Sequence, residues 1–254
     1  MITRSKLNKE LNNLLNIYDY SDYCPNGLQI QGTEEIKKIC FAVSATKDSV
    51  QQAVAAKADA LIVHHGLFWK FHGPKTLTGA FYHRTAPLIK NDINLFGYHL
   101  PLDAHLEYGN AKAVADLIEL EDLKPFGDHK GMPTGVWGKF KTPIAPIELK
   151  TKLEKILEHS VIHASPNSNK ISSMGIITGG ANADWRSAKS LGLDSYLTGE
   201  ISEHDWHEAQ EDDLHFFAGG HNATEQFGIQ KLMEYIQKKH PNIECLFIKS
   251  SNPA

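Results

Sequence analysis

Apolar positions Leu7, Leu11, Leu14 and Leu15 recur at helical intervals, which predicts an amphipathic helix over residues 6–17. Cys24-Pro25-Asn26-Gly27 then marks a loop. Residues 39–43 form a short continuous apolar run expected as a strand, and Val50, Ala53, Val54 and Lys57 take helical spacing within 48–57. Residues 59–63 read as the next strand, ending abruptly in His64, His65 and Gly66. Strand, helix and strand in such close succession make a βαβ unit, whose strands run parallel with a right-handed crossover.

The same plan recurs in the second half. Residues 174–200 read as a strand ending in Gly179-Gly180, a helix around 185–191, and a strand leading to Glu200. Asp59 matches Asp194, and His65 matches Glu200, at a constant offset of 135. Residues 94–99 match 216–221 at an offset of 122, which also pairs His99 with His221 and Asp103 with Glu225. Similarity this short also arises among unrelated strand–helix units. A genuine duplication predicts an α/β fold of two similar, intimately packed lobes about a pseudo-twofold axis, residues 1–124 and 125–254, with strand ends converging on one cleft. The stretch 125–173 between the repeats reads as a structural insert, with an alternating strand at 134–140, a helix at 146–158 opened by Pro146, and a short strand at 161–164. A long helix over 222–239 and a strand at 245–248 close the chain.

Composition narrows the setting. The net charge of −4, from 26 basic and 30 acidic residues, gives no footprint for duplex nucleic acid. Cys24, Cys40 and Cys245 are odd in number and lack CxxC spacing, which argues against a disulfide framework or a thiolate zinc site and points to a reducing, cytoplasmic compartment. Neither a signal-peptide core nor a membrane-length apolar stretch is expected.

Fourteen histidines matter only by position. His64 and His65 end a strand, where α/β proteins place their chemistry. Consecutive strand residues face opposite ways, so both reach one site only if the strand has already ended, with Gly66 turning the chain. Otherwise His64 is a ligand and His65 a core or cap residue. Asp103 follows His99 on a loop and is either a ligand or a turn cap. His221 and Glu225 lie on one side of a helix start, where Glu225 is either a ligand or a partner of the helix dipole. Histidines and carboxylates in this number suit Zn, Mn, Fe, Co or Ni and exceed what one catalytic zinc takes, so two divalent ions are the better count, with a bridging carboxylate. Glu225 has the longer reach for that bridge. His72, His83, His105, His129, His159, His163, His204, His207, His215 and His240 are read as exposed, structural or supporting residues. Gly179-Gly180 and Gly219-Gly220 lack the full phosphate-loop pattern and read as turns. No G-x-S-x-G nucleophile motif occurs.

The strings at 63–69 (VHHGLFW), 92–105 (DINLFGYHLPLDAH), 197–203 (LTGEISE) and 220–225 (GHNATE), with NGLQIQG at 26–32 and the terminal NPA, resemble the GTP cyclohydrolase 1 type 2 homologues, in their short YbgI-like branch. That resemblance covers essentially the whole chain. It implies a two-lobed protomer, a dinuclear metal centre in the cleft and a toroidal homohexamer. It also implies the ligand set His64, His65, Asp103, His221 and Glu225, with Glu225 bridging and the adjacent histidines serving different ions. His99 and Glu200 are left as supporting candidates. The implied activity is metal-dependent hydrolysis of a nucleotide, either opening of the guanine imidazole ring with loss of formate or hydrolysis of damaged nucleotides. The alternative is a non-enzymatic metal-binding, chaperone or regulatory ring.

Overall fold

The computed structural model describes residues 1–254. In chain order its elements begin with β1 (Ile2–Thr3), α1 (Arg4–Leu14), β2 (Gly27–Ile30), β3 (Glu35–Ile36), β4 (Lys38–Ser44), α2 (Lys47–Ala55), β5 (Ala60–His65), α3 (Gly79–Lys90), β6 (Asn94–Gly97) and α4 (Leu100–Asp103). Then come α5 (Asn110–Leu117), β7 (Leu120–Phe126), β8 (Gly135–Ile144), α6 (Pro146–Leu157), β9 (Ile162–Ala164), β10 (Ile171–Ile176), α7 (Trp185–Ser190) and β11 (Ser195–Thr198). The chain ends with α8 (Glu203–Glu211), β12 (His215–Ala218), α9 (His221–Thr224), α10 (Gln226–Lys239) and β13 (Glu244–Phe247). No helix is long and apolar enough to cross a membrane.

This mixed α/β chain forms two compact units, Met1–Leu102 with Gly228–Ser251, and Asp103–Phe227 with Asn252–Ala254. The division therefore lies at Leu102 rather than at 124, and the last helix and strand return to the first unit. Pairing explains both differences. β7 joins β8 in the second sheet, whereas β13 pairs parallel with β4, and Ile229, Leu232 and Ile236 of α10 pack with Leu7 and Leu11 of α1.

In the first unit the sheet order is β13-β4-β5-β6-β2. The parallel βαβ pairing of β4 with β5 is as the apolar pattern predicts, and β6 extends it in parallel. Alternate residues face opposite layers. Ile39, Phe41, Ile62 and Phe96 meet α1 and α10, while Cys40, Ala42, Leu61, Val63 and Leu95 meet Val50 and Ala53 of α2 and Leu88 of α3. Residues 27–30, expected in a loop, instead form the antiparallel edge strand β2.

The second unit has the order β7-β8-β10-β11-β12-β9, with β10, β11 and β12 parallel and β9 antiparallel at the edge. Its two faces are covered by α5 with α6 and by α7 with α8. The stretch 125–173 is not an appendage, because β8 hydrogen-bonds directly to β10 inside this sheet.

Asp59 and Asp194 perform the same local task. Asp59 Oδ2 accepts the N–H groups of Lys37 (2.7 Å) and Lys38 (2.9 Å), and Asp194 Oδ2 those of Ser172 (2.8 Å) and Ser173 (3.0 Å). Their carbonyls accept Asn94 N–H (3.0 Å) and His215 N–H (3.1 Å). Each aspartate thus fixes the start of three parallel strands, and hence where their far ends fall. Replacing Asp59 or Asp194 by Ala should destabilise the protein by about 1–3 kcal/mol, since two strand-start amides lose their acceptor. Urea unfolding checks this, and an unshifted midpoint for both variants would refute the anchoring role.

Candidate metal centre

In the first unit, β5 carries His64 and His65 to the end of the parallel sheet. The strand does not end before them, contrary to the condition set by strand alternation. β6 stops pairing at Val63, however, so the two histidines are held only on the β4 side, where His65 registers with Ser44. With the pleat released on one side, the two rings lie side by side, 4.6 Å between centroids. Gly66 is not a left-handed turn. A Cβ there would fall 2.2 Å from Gln29 Oε1, and one at Gly97 would fall 2.6 Å from Gln29 Nε2, so both glycines clear space for the β2 side chain.

His99 joins this pair, its ring 5.1 Å from that of His64 and 5.7 Å from that of His65. One donor atom from each of the three lies within 4.8 Å of the others. Each ring is oriented through Nδ1. His64 Nδ1 lies 2.8 Å from the Tyr98 carbonyl, which can only accept, so Nδ1 carries the proton and Nε2 the lone pair. His65 Nδ1 lies 3.0 Å from Ser44 Oγ, and His99 Nδ1 lies 2.8 Å from Asp22 Oδ1.

Asp22 is itself held by four donors: Tyr23 N–H, His99 Nδ1–H, Asn26 Nδ2 and Leu100 N–H. Burial opposes its charge, but His99 with Asn26 and the Leu100 amide outweighs burial and holds the carboxyl down at about 2. Asn26 also accepts the His99 N–H at 2.8 Å. Asp22 and Cys24 form a further ligand-type group with His99. Neither was singled out from sequence, although Asn26 and Gln29 lie in the NGLQIQG string.

In the second unit, Glu225 follows α9 at the break before α10, and the i, i+4 spacing brings His221 Nε2 to 3.2 Å from Glu225 Oε2. His221 Nδ1 lies 2.5 Å from Glu200 Oε1, so Glu200 orients this ring as Asp22 orients His99. Burial disfavours charge on His221, but Glu225 and Glu200 outweigh it and push its pKa up to about 9. Glu225 and Glu200 thus favour positive charge at this position, a demand that a cation can meet in place of the proton. Asp103 is buried, and its Oδ1 accepts from Asn110 Nδ2 (2.9 Å) and Thr178 Oγ1 (3.1 Å), more than a turn cap requires.

Gly179 and Gly199 are clearances around this cluster rather than parts of a phosphate loop. A Cβ on Gly179, at φ +72°, would meet Glu225 Oε1 at 2.0 Å, and one on Gly199 would lie 2.6 Å from the His221 Cα. Of the histidines set aside, His163 stacks on Phe217 at 4.1 Å with its Nε2 3.2 Å from His215 Nδ1. Burial, with the His215 and Lys150 charges, pushes the His163 pKa down to about 4, as befits a packed neutral ring.

The model of the family Duf34/NIF3 (NGG1p interacting factor 3) matches residues 2–253. The chain belongs to the Duf34/NIF3 family. Among similar Duf34/NIF3 relatives, a Pasteurella multocida protein called GTP cyclohydrolase 1 type 2 homolog is 41% identical over 250 residues, covering 98% of both chains. The Escherichia coli K12 protein of that name is 38% identical over 257 residues, covering 98% of this chain and 99% of its own. The solved structure of protein ybgI, of unknown function, superposes with a TM-score of 0.92 at 37% identity over 100% of both chains. TTHA1606 from Thermus thermophilus gives 0.88 at 27% identity, also over 100% of both.

Two expectations follow from the site. The depressed Asp22 pKa means that its stabilising contribution is present above the ordinary aspartate pKa near 4 and is lost as pH falls through about 2. Asp22→Asn should therefore cost about 2 kcal/mol at neutral pH. Its deficit relative to the parent should shrink toward pH 2 in denaturant titrations, whereas a pH-independent deficit would contradict the linkage. Gly179→Ala should fold less stably by at least about 1 kcal/mol and bind metal more weakly, because both its φ and the Glu225 carboxylate exclude the methyl. Thermal melts and metal titration read this, and wild-type values in both would refute the clearance role.

Proposed function

We propose that the chain is a dinuclear metal-dependent hydrolase acting on a nucleotide, with His64, His65, Asp103, His221 and Glu225 as ligands of two divalent ions. The observation that carries this reading is the uniform treatment of the imidazoles: His64, His65, His99 and His221 each engage a polar partner at Nδ1. An orienting partner on the far nitrogen is the usual environment of a metal-ligating histidine. The donor set of imidazoles and carboxylates fits Zn, Mn, Fe, Co or Ni.

A pair of such ions would supply an activated water and a clamp on the reacting oxygens. The chain's own part is positional. Tyr98, Ser44 and Glu200 fix three of the proposed imidazole ligands, Asn110 and Thr178 turn Asp103, and Gly179 leaves room for Glu225. His99, anchored by Asp22, stands as a supporting residue beside the histidine pair. The buried Glu225 is the proposed bridge, because its side chain reaches farthest and its charge compensates two cations at once. The name GTP cyclohydrolase 1 type 2 homolog carried by the relatives supports a guanine nucleotide as substrate with opening of its imidazole ring, and hydrolysis of damaged nucleotides is the other reaction proposed. A toroidal homohexamer belongs to the same reading and is checked by light scattering.

Metal-reconstituted protein should convert at least one member of a nucleotide panel that includes GTP and oxidised purines, with products followed by mass spectrometry. Glu225→Gln should lower that turnover by more than about 100-fold while the assembly keeps its size. A panel left intact by protein holding two ions per chain would leave a metal-binding ring in place of a hydrolase. Fewer than one ion per chain after reconstitution would refute the dinuclear centre.

A further inference from the structure

The crossover from β5 to β6 is longer and stranger in composition than a connection needs to be. Between Gly66 and Ile93 its one acidic residue is Asp92, at the far end next to β6, although the chain carries 30 acidic residues and a net charge of −4. The same span holds Lys70, Lys75, Arg84 and Lys90 together with Phe68, Trp69, Phe71, Phe81 and Tyr82. Residues 70–80 are exposed throughout. Phe71 is 66% exposed and Leu77 55% exposed, a poor use of apolar surface unless something covers it.

The near end of this excursion is fastened. Lys70 N–H donates to Tyr23 O at 2.8 Å, Lys70 Nζ to Asp22 O at 2.5 Å, and Trp69 Nε1 to Gly66 O at 3.1 Å. From that anchor the aromatic rings form a ladder leading away from the histidines. Trp69 stands edge-on to His99 with centroids 5.0 Å apart, Phe71 stacks on Trp69 at 5.4 Å and 30°, and His72 meets Phe71 at 4.6 Å. Lys75 lies over Phe81 at 5.1 Å and Lys90 over Tyr82 at 6.0 Å, so cations and rings are interleaved along the run.

We infer that this crossover is a recognition strap that stacks the base of a nucleoside polyphosphate on Phe71, supported by Trp69, and draws its phosphates to Lys75, Arg84 and Lys90. The inference rests on the nucleotide reading given above and deepens it. Stacking on an exposed ring accepts any planar heterocycle, and a cationic run with no carboxylate from Gly66 to Asn91 attracts phosphate. Lys70, committed to the Asp22 carbonyl, takes no part in phosphate binding. Trp69, edge-on to His99, links the ladder to the imidazoles, and Phe71 is the next ring outward.

Calorimetric titration of the metal-loaded protein with GTP and with inorganic tripolyphosphate tests the strap. The parent should bind GTP at least about tenfold more tightly than tripolyphosphate, the margin that one base-on-aromatic stack supplies. Phe71→Ala should lose that margin while keeping its tripolyphosphate affinity, metal content and assembly size, and Phe71→Tyr should retain it. Parent-like GTP binding by Phe71→Ala would overturn the strap and leave the nucleotide hydrolase standing. An assembly that comes apart in Phe71→Ala would also overturn it, because the surface is then a contact between copies. Failure of the parent to bind GTP at all would remove both the strap and the nucleotide reading.

Discussion

An imidazole can act as a ligand only while one ring nitrogen keeps its lone pair and the ring cannot swing away, and a polar partner on the other nitrogen secures both. Most of the local architecture follows from supplying that partner four times. The Tyr98 carbonyl serves His64 because β6 runs parallel to β5 and leaves the sheet immediately after Gly97. Ser44 serves His65 because the two are register partners on β4 and β5. Glu200, just past β11, serves His221. Slipping β4 against β5 by one residue would turn Ser44 to the other face and release His65. The strand-start clamps at Asp59 and Asp194 therefore bear on chemistry at the opposite strand ends.

The second constraint is room. Buried carboxylates are costly unless hydrogen-bonded or opposed by positive charge, and the chain meets that cost by bringing backbone and small residues close. Asp22 draws two backbone N–H groups onto itself, and Glu225 lies against the bare Cα of Gly179. Gln29 occupies the space above Gly66 and Gly97, where its Oε1 accepts the Leu67 N–H at 2.8 Å and its Nε2 donates to Pro25 O at 2.8 Å. These glycines are needed because of what stands opposite them, a different reason from turn formation.

That distinction marks how far the sequence could be read. The parallel units β4-α2-β5 and β10-α7-β11 were legible because short, largely apolar runs alternate with helical spacing, and the offset of 135 paired Asp59 with Asp194, whose hydrogen bonds match. The His221–Glu225 contact followed from i, i+4 geometry alone. Asp22 was not legible, because 77 residues separate it from His99 and only the folded loop brings them together. Strand β2 was hidden by its own turn residues, and the return of α10 to the first unit by the helical pattern itself, which specifies an apolar face but not the partner. The geometric objection to His64 and His65 rested on ideal alternation, which fails where pairing survives on one side of the strand only.

One crossover carries two unlike demands, and its composition shows how they are reconciled. At its start the crossover follows the buried His64, and at its middle it leaves Phe71 and Leu77 in solvent. A carboxylate beside the imidazoles would favour their protonation, and one along the exposed run would oppose the proposed phosphate ligand, so both disfavour the same residue type. The acidic residues of this unit that do approach the histidines are confined to Asp22, where four donors absorb the charge. Cations in place of carboxylates from Ala60 to Asn91 thus leave Asp22 as the acid that this unit sets against its clustered histidines, and four donors hold it there.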